Sequence, residues 1–216
     1  MADARCRLAV LISGAGSTMV NLQEHIARGE VPAEIAIVVS SRSDAPGIAR
    51  ARALGLEAEV LSRKPFRREG AFDEAAYSVA LAALLDRFSP DLVVLAGFMT
   101  HLGAAVLDRW PVMNVHPALL PAFGGAGFYG RRVHEAVLAS GARTTGATVH
   151  FVEREYDHGP VVAQEEIPVE PGESAAELEA RVQAVERRLY PRIVAAFARG
   201  ELAQWCPVRS RPRGDL

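Results

Sequence analysis

The stretch "RLAVLISGAGSTMVNLQEHI" (residues 7–26) changes periodicity part way along. Arg7 to Ser13 form a short β-branched and aliphatic run that stops at "SGAGST", after which Met19, Leu22 and Ile26 recur at helical spacing. The pattern is strand, glycine turn, helix. Gly14 and Gly16 let the backbone turn sharply, and the helix start directs the N–H groups of Gly16, Ser17 and Thr18 outward, where the helix dipole favours an anion. A phosphate fits such a turn, but so does a plain connection with nothing bound, and the motif alone does not choose. A full G-x-G-x-x-G is missing because position 19 is Met19, and no Gly-Lys-Ser/Thr supplies a P-loop. "SSRSD" after the second strand offers no acid placed for an adenosine ribose, leaving only Arg42 to suggest NADP. A monophosphate ester is the simpler ligand.

The same rhythm continues outward from this unit. "AEIAIVVSS" (33–41) reads as a strand, "DAPGIARARALG" (44–55) as a helix ended by Gly55, and "AEVLS" (58–62) as a third strand. A helix over 72–88, with Asp73 near its start, precedes "DLVVLAGFM" (91–99), whose continuous apolarity suits a central parallel strand. The βαβαβ order predicts an α/β chain with a mostly parallel sheet flanked by helices. A short strand "VMNVH" (112–116) follows, then a proline- and glycine-rich loop through Gly130 that is long for a connector. The remainder predicts a helix over 131–141, strands over 144–153 and 160–169, and a long helix over 174–199 interrupted near Pro191.

Composition narrows the classes of function. At 216 residues the chain suits one domain, taken over 1–205, with a loosely ordered basic tail over 206–216. Basic and acidic side chains number 24 and 26, so no net field favours nucleic acid or an anionic membrane. Cys6 and Cys206 lack disulfide-framework or metal-ligand spacing, which fits a reducing cytoplasm and no metal. No apolar run approaches the ~20 residues of a membrane span.

Chemistry gathers in two places. On a strand over 112–116, Asn114 and His116 project to one face at the carboxyl end, where open α/β sheets bind ligands, and Pro117 keeps His116 extended. An amide donor beside an imidazole suits a reaction in which a carbonyl oxygen gains charge while a proton moves; it also suits a hydrogen-bonded pair closing a strand. "EYDHGP" (155–160) offers a third group, Asp157, in a polar turn. A carboxylate near His116 favours imidazolium, although Asp157 alone also reads as an Asx-turn residue and His158 competes as acid–base. On the last helix Glu186 sits at the edge of the Val182, Val185, Leu189, Ile193 stripe, where a carboxylate snorkels, pairs with arginine, or meets a polar ligand. His150 alternates along its strand as a half-buried histidine and receives no role.

Taken together, "VLISGAGST", "DLVVLAGFM", "NVHPALLPAF", "GATVHFV", "YDHGP" and "ERRLYP" resemble the folate-dependent formyltransferases in order and spacing, over about residues 7–205. Within that family the likeness is to the enzymes that act on glycinamide ribonucleotide in de novo purine biosynthesis. The resemblance implies a Rossmann-like fold, with 10-formyltetrahydrofolate as co-substrate and no metal. It places the ribonucleotide phosphate at Gly16, Ser17 and Thr18, with Asn114 and Glu186 helping to hold that substrate. It also implies a folate site from Met99, Thr100, His101, Leu102 and Asp157, with Arg68 meeting the folate tail. Asn114, His116 and Asp157 are the implied catalytic residues. Thr18 and Ala118 depart from the family's usual Asn and Ser, Thr100 stands where an arginine is common, and "GGAGFYGRRVH" (124–134) is a longer loop than usual. Rival readings are a methionyl-tRNA formyltransferase, a formyltetrahydrofolate hydrolase, and a non-catalytic nucleotide-binding module. Oligomeric state stays open.

Overall fold

In the computed structural model, residues 5–68 and 71–206 are described, so most of the expected basic tail lies outside the described residues. Strand β1 (Cys6–Ile12) leads through Ser13–Gly16 into helix α1 (Ser17–Ala27). β2 (Ala33–Ser40), α2 (Pro46–Ala53) and β3 (Ala58–Val60) repeat the unit. A small hairpin of β4 (Arg67–Arg68) and β5 (Ala71–Phe72) precedes α3 (Glu74–Asp86), whose N-terminus is capped by Asp73 accepting the Ala76 N–H at 2.9 Å. Then come β6 (Leu92–Leu95), α4 (Ala104–Leu107), β7 (Val112–His116), α5 (Arg131–Ala139), β8 (Thr144–Phe151), β9 (Val161–Pro168) and α6 (Ala175–Ala198).

The main sheet runs β3-β2-β1-β6-β7-β8-β9. Its first five strands are parallel, while β8 runs antiparallel to β7 and β9 antiparallel to β8. Both faces are covered, which is why Leu8 to Ile12 of β1 read as an unbroken apolar run. Leu8, Val10 and Ile12 pack with Met19, Val182 and Leu189 of the α1/α6 side, whereas Ala9 and Leu11 pack with Tyr77, Leu81 and Leu85 of α3.

Two expectations fail for identifiable reasons. The strand expected over 91–99 ends at Leu95 because Gly97 takes φ +72° and turns the chain out of the sheet, carrying Met99 to Leu102 onto its carboxyl edge. The last helix is continuous through Pro191. Proline has no N–H for the carbonyl four residues back, and that Arg187 carbonyl instead accepts the Asn21 side-chain amide at 2.8 Å. Pro191 is itself buried, and the Tyr190 hydroxyl donating to the Met113 carbonyl at 2.7 Å keeps the segment seated under the sheet. Ser174 and Glu177 form a reciprocal capping box at the start of α6.

Candidate active site

β7 ends at the carboxyl edge of the sheet, and its antiparallel pairing with β8 sets Asn114 opposite His150 and His116 opposite Thr148. Asn114 Nδ2 donates to His150 Nε2 at 3.3 Å, while His150 Nδ1 donates to the Phe151 carbonyl at 2.9 Å. This pattern makes His150 a neutral imidazole that aims the Asn114 amide. His116 Nε2 donates to the Phe123 carbonyl at 2.8 Å and presents its Nδ1 to Asp157 Oδ2 at 3.6 Å. The other carboxylate oxygen lies 3.6 Å from His150 Nε2, so Asp157 stands between the two rings.

Asp157 is positioned by strain and by packing. Its φ is +58°, a left-handed conformation that aspartate tolerates better than most residues, and its Oδ2 accepts the Gly125 N–H at 2.9 Å. Gly159 closes the turn because a Cβ there would lie 1.9 Å from the Phe151 carbonyl oxygen. On the opposite side, buried Thr148 donates to the Ala118 carbonyl at 2.7 Å and accepts from the Leu120 N–H at 3.0 Å, fixing the segment after Pro117. Gln164 ties in by donating to the Leu120 carbonyl at 2.8 Å.

The expected imidazolium is not what the free site holds. Burial pushes the His116 ring below the ordinary histidine value, and the opposing pull of Asp157 and the Phe123 carbonyl does not overcome that cost. His150 is lowered for the same leading reason. At 4% exposure, His116 loses more by leaving water than a carboxylate 3.6 Å away restores.

A cavity of about 620 Å³ opens over these groups. Asn114, His116 and Asp157 line it together with Thr18 and Glu186, which come from α1 and α6. Met99, Thr100, His101 and Leu102 line it from the segment that leaves β6. Gly16 and Ser17 stand behind Thr18, outside the lining, with Gly16 at φ +74° as the N-cap of α1. Gly16 offers no side chain to cap that helix start, so the N-cap position supplies no side-chain acceptor to its first-turn N–H groups. A Cβ on Gly16 would come within 3.0 Å of Gly47 Cα, so glycine is needed here for the turn itself as well as for any ligand's approach.

Glu186 is half-buried and makes no ion pair among the described residues; burial lifts its carboxyl up to about 7. It therefore follows neither the snorkelling nor the arginine-paired pattern. His101 is clamped between the Glu74 carboxylate at 2.7 Å and the Arg154 carbonyl at 3.0 Å. His158 is exposed, bonds the Tyr156 carbonyl and does not line the cavity, which leaves Asp157 as the group facing His116. Arg68 lies in β4, and its side chain is outside what is described.

Sequence reasoning missed His150 and Thr148. β8, which carries both, is separated from β7 by a long loop and α5, and only the β7/β8 register reveals who faces whom. The alternation of Thr148 and His150 within "GATVHFV" was the available signal. Among the described residues no group of His, Cys, Asp and Glu has the arrangement to hold a metal ion, and no helix is long and apolar enough to cross a membrane.

Residues 6–194 match the family described as Formyl transferase. A phosphoribosylglycinamide formyltransferase of Haemophilus influenzae is 35% identical over 91% of this chain and 89% of its own length. The trifunctional purine biosynthetic protein adenosine-3 of Homo sapiens is also 35% identical over 91% of this chain, which spans only 19% of that longer protein. Among solved structures, glycinamide ribonucleotide transformylase 1 of Symbiobacterium toebii superimposes with a TM-score of 0.83 at 35% identity, covering 91% of this chain and 89% of that one. A match along most of the chain, with relatives of nearly the same length, leaves one conclusion: this chain belongs to the formyl transferase family.

Proposed function

We propose that the protein transfers the formyl group of 10-formyltetrahydrofolate to the primary amine of glycinamide ribonucleotide, giving formylglycinamide ribonucleotide and tetrahydrofolate in de novo purine biosynthesis. The observation that carries this reading is the convergence of Asn114, His116 and Asp157 on one cavity that also reaches Thr18 at the uncapped start of α1. A phosphate is held at Gly16, Ser17 and Thr18, and Glu186 meets the ribonucleotide. Met99 to Leu102 line the folate end, with Arg68 toward the folate tail.

The residues then divide the work. The amine attacks the formyl carbon, and the amide hydrogen that Asn114 does not spend on His150 faces the developing oxyanion. His116, neutral beforehand, takes the proton released by the amine, and Asp157 stabilises the imidazolium as it forms. Collapse of the tetrahedral adduct breaks the bond between the formyl carbon and the folate nitrogen, which receives the proton from His116. Asp157 thus acts on the charged state that exists only during the reaction. The step as written uses no metal, and the cytoplasm is its place of work.

The test is formation of tetrahydrofolate from 10-formyltetrahydrofolate by purified protein, expected only when glycinamide ribonucleotide is supplied. Turnover with water alone identifies a hydrolase, dependence on methionyl-tRNA identifies the RNA-directed enzyme, and absence of turnover with every acceptor leaves a binding module.

A further inference from the structure

Ser13 stands where two parts of the cavity wall meet. It lies between β1 and the glycine turn at residues 14–16, is 5% exposed, and does not line the cavity itself. Its main-chain N–H donates to the Gly97 carbonyl at 3.1 Å, and its Oγ accepts the Met99 N–H at 2.8 Å. Ser41, just past β2 and also buried, is hydrogen-bonded through its Oγ to the same hydroxyl at 2.7 Å. One small side chain at the carboxyl edge of the sheet thus joins the ends of β1 and β2 to the exit of β6.

The segment leaving β6 has few other anchors. Phe98 and Leu102 pack on the α3-side cluster, but Met99 is 54% exposed and the Thr100 Oγ1 is buried without a hydrogen-bond partner. Among the described residues, the hydrogen bonds that tie residues 97–100 to the rest of the fold both go to Ser13. The next ones come at the His101 ring and at the Gly103 N–H, which donates to Ser78 Oγ at 2.7 Å. On its other side Ser13 is the root of the turn that leads into α1, and that turn is held from beyond by the Gly47 N–H donating to the Gly14 carbonyl at 3.0 Å. The anion-receptive turn and the segment lining the donor end of the cavity therefore share one residue.

From this we infer that Ser13 is a positioning residue that couples the two substrate sites, passing order from the turn before α1 to the segment at 99–102. The inference rests on the formyl-transfer reading, in which a phosphate sits at the turn and the formyl donor lies against Met99 to Leu102. An anion at the turn restricts the backbone from Ser13 onward, and Met99 is then held at a smaller entropic cost. Each ligand tightens the other by the same factor. Ser13 acts through the Met99 N–H and meets neither ligand.

The Met99 amide reports this coupling directly, by hydrogen exchange on the full chain with inorganic phosphate as the probe. Saturating phosphate is expected to slow Met99 N–H exchange about fivefold or more in the parent protein, and by less than about twofold in Ser13→Ala. Ser13→Thr keeps the hydroxyl and Ser41→Ala keeps the acceptor for Met99, so both should retain most of the slowing. Equilibrium binding of tetrahydrofolate should follow the same pattern: glycinamide ribonucleotide tightens it about fivefold or more in the parent and by less than about twofold in Ser13→Ala. Loss of the transfer reaction with the phosphate response of Met99 intact would count against the formyl-transfer reading and leave the coupling standing. No slowing in the parent protein, an unchanged response in Ser13→Ala, or an equal loss in Ser41→Ala overturns the assignment, the last because it would mark a packing defect. Should Ser13→Ala not fold, Ser13→Cys, a weaker acceptor of similar size, takes its place, and parent-like exchange and binding in that variant sink the proposal.

Discussion

His116 Nδ1 and Asp157 Oδ2 stand 3.6 Å apart, beyond a direct hydrogen bond, with the ring 4% exposed and the carboxylate side chain 13% exposed. Burial holds the His116 ring below the ordinary histidine value against the pull of Asp157, and in the proposed transfer the carboxylate acts once a proton has moved onto the ring. A carboxylate that strengthens its hold only on the charged intermediate stabilises the transition state more than the ground state.

Asp157→Asn keeps the shape and removes the charge. We expect kcat to fall by about two to four orders of magnitude, the usual range for a lost general acid–base contribution, while the KM for glycinamide ribonucleotide changes little. The His116 ring should titrate still lower than in the parent protein, because the group that raises it is gone. Histidine NMR together with steady-state kinetics checks both; an unchanged kcat rules out the role given to Asp157.

Glu186 titrates with the opposite stability sign. Its folded value of about 7 lies above the unfolded carboxylate value, so the folded chain holds the proton more tightly and this contribution is lost as pH rises through 7. Glu186→Gln is therefore expected to raise Tm at pH 8 by roughly 2–4 °C, about 1 kcal/mol for a chain of this size. The same variant should weaken ribonucleotide binding. A Tm unchanged at pH 8 would show that the carboxylate is well hydrated in the folded chain.

Acid should destabilise the fold through its buried histidines. His116, His134 and His150 are all lowered chiefly by burial, so the unfolded chain binds protons that the folded chain refuses. Their contribution is complete above the ordinary histidine value of ~6.5 and is lost as pH falls below it toward the folded values. Glu186 opposes this trend, so the Glu186→Gln background gives the cleaner measurement: Tm should drop between pH 7.5 and 5.5, and His134→Gln should make the slope shallower. A flat Tm across that interval in Glu186→Gln counts against neutral burial.

Gly159→Ala tests the turn behind Asp157. The added Cβ meets the Phe151 carbonyl oxygen at 1.9 Å, and backbone has to move. A loss of more than about 2 kcal/mol is expected, with activity falling further than stability explains because Asp157 moves with the turn. Gly16→Ala, strained by φ +74° and a 3.0 Å approach to Gly47 Cα, should cost about 1 kcal/mol. Denaturant unfolding ranks the two; the reverse order would contradict this account of the turn.

The strand, glycine turn and helix of residues 6–27 are legible in the sequence, because apolar periodicity and glycine conformational freedom act over a few neighbouring residues. So is the parallel run of the first strands. Asn114, His116 and Asp157 were nameable from their blocks, and the resemblance joined them into one site. The neutral state of His116, the part played by His150, the exclusion of His158 and the unbroken course of α6 through Pro191 were not. Each depends on groups far apart in the chain: the depth of burial at the sheet edge, the β7/β8 register, and an asparagine on α1 that takes over the carbonyl Pro191 leaves unpaired. Local sequence sets which conformations and side-chain chemistries are available. Desolvation, register and the satisfaction of orphaned hydrogen-bonding groups are properties of the assembled core, and they decide which of those chemistries the folded chain exhibits.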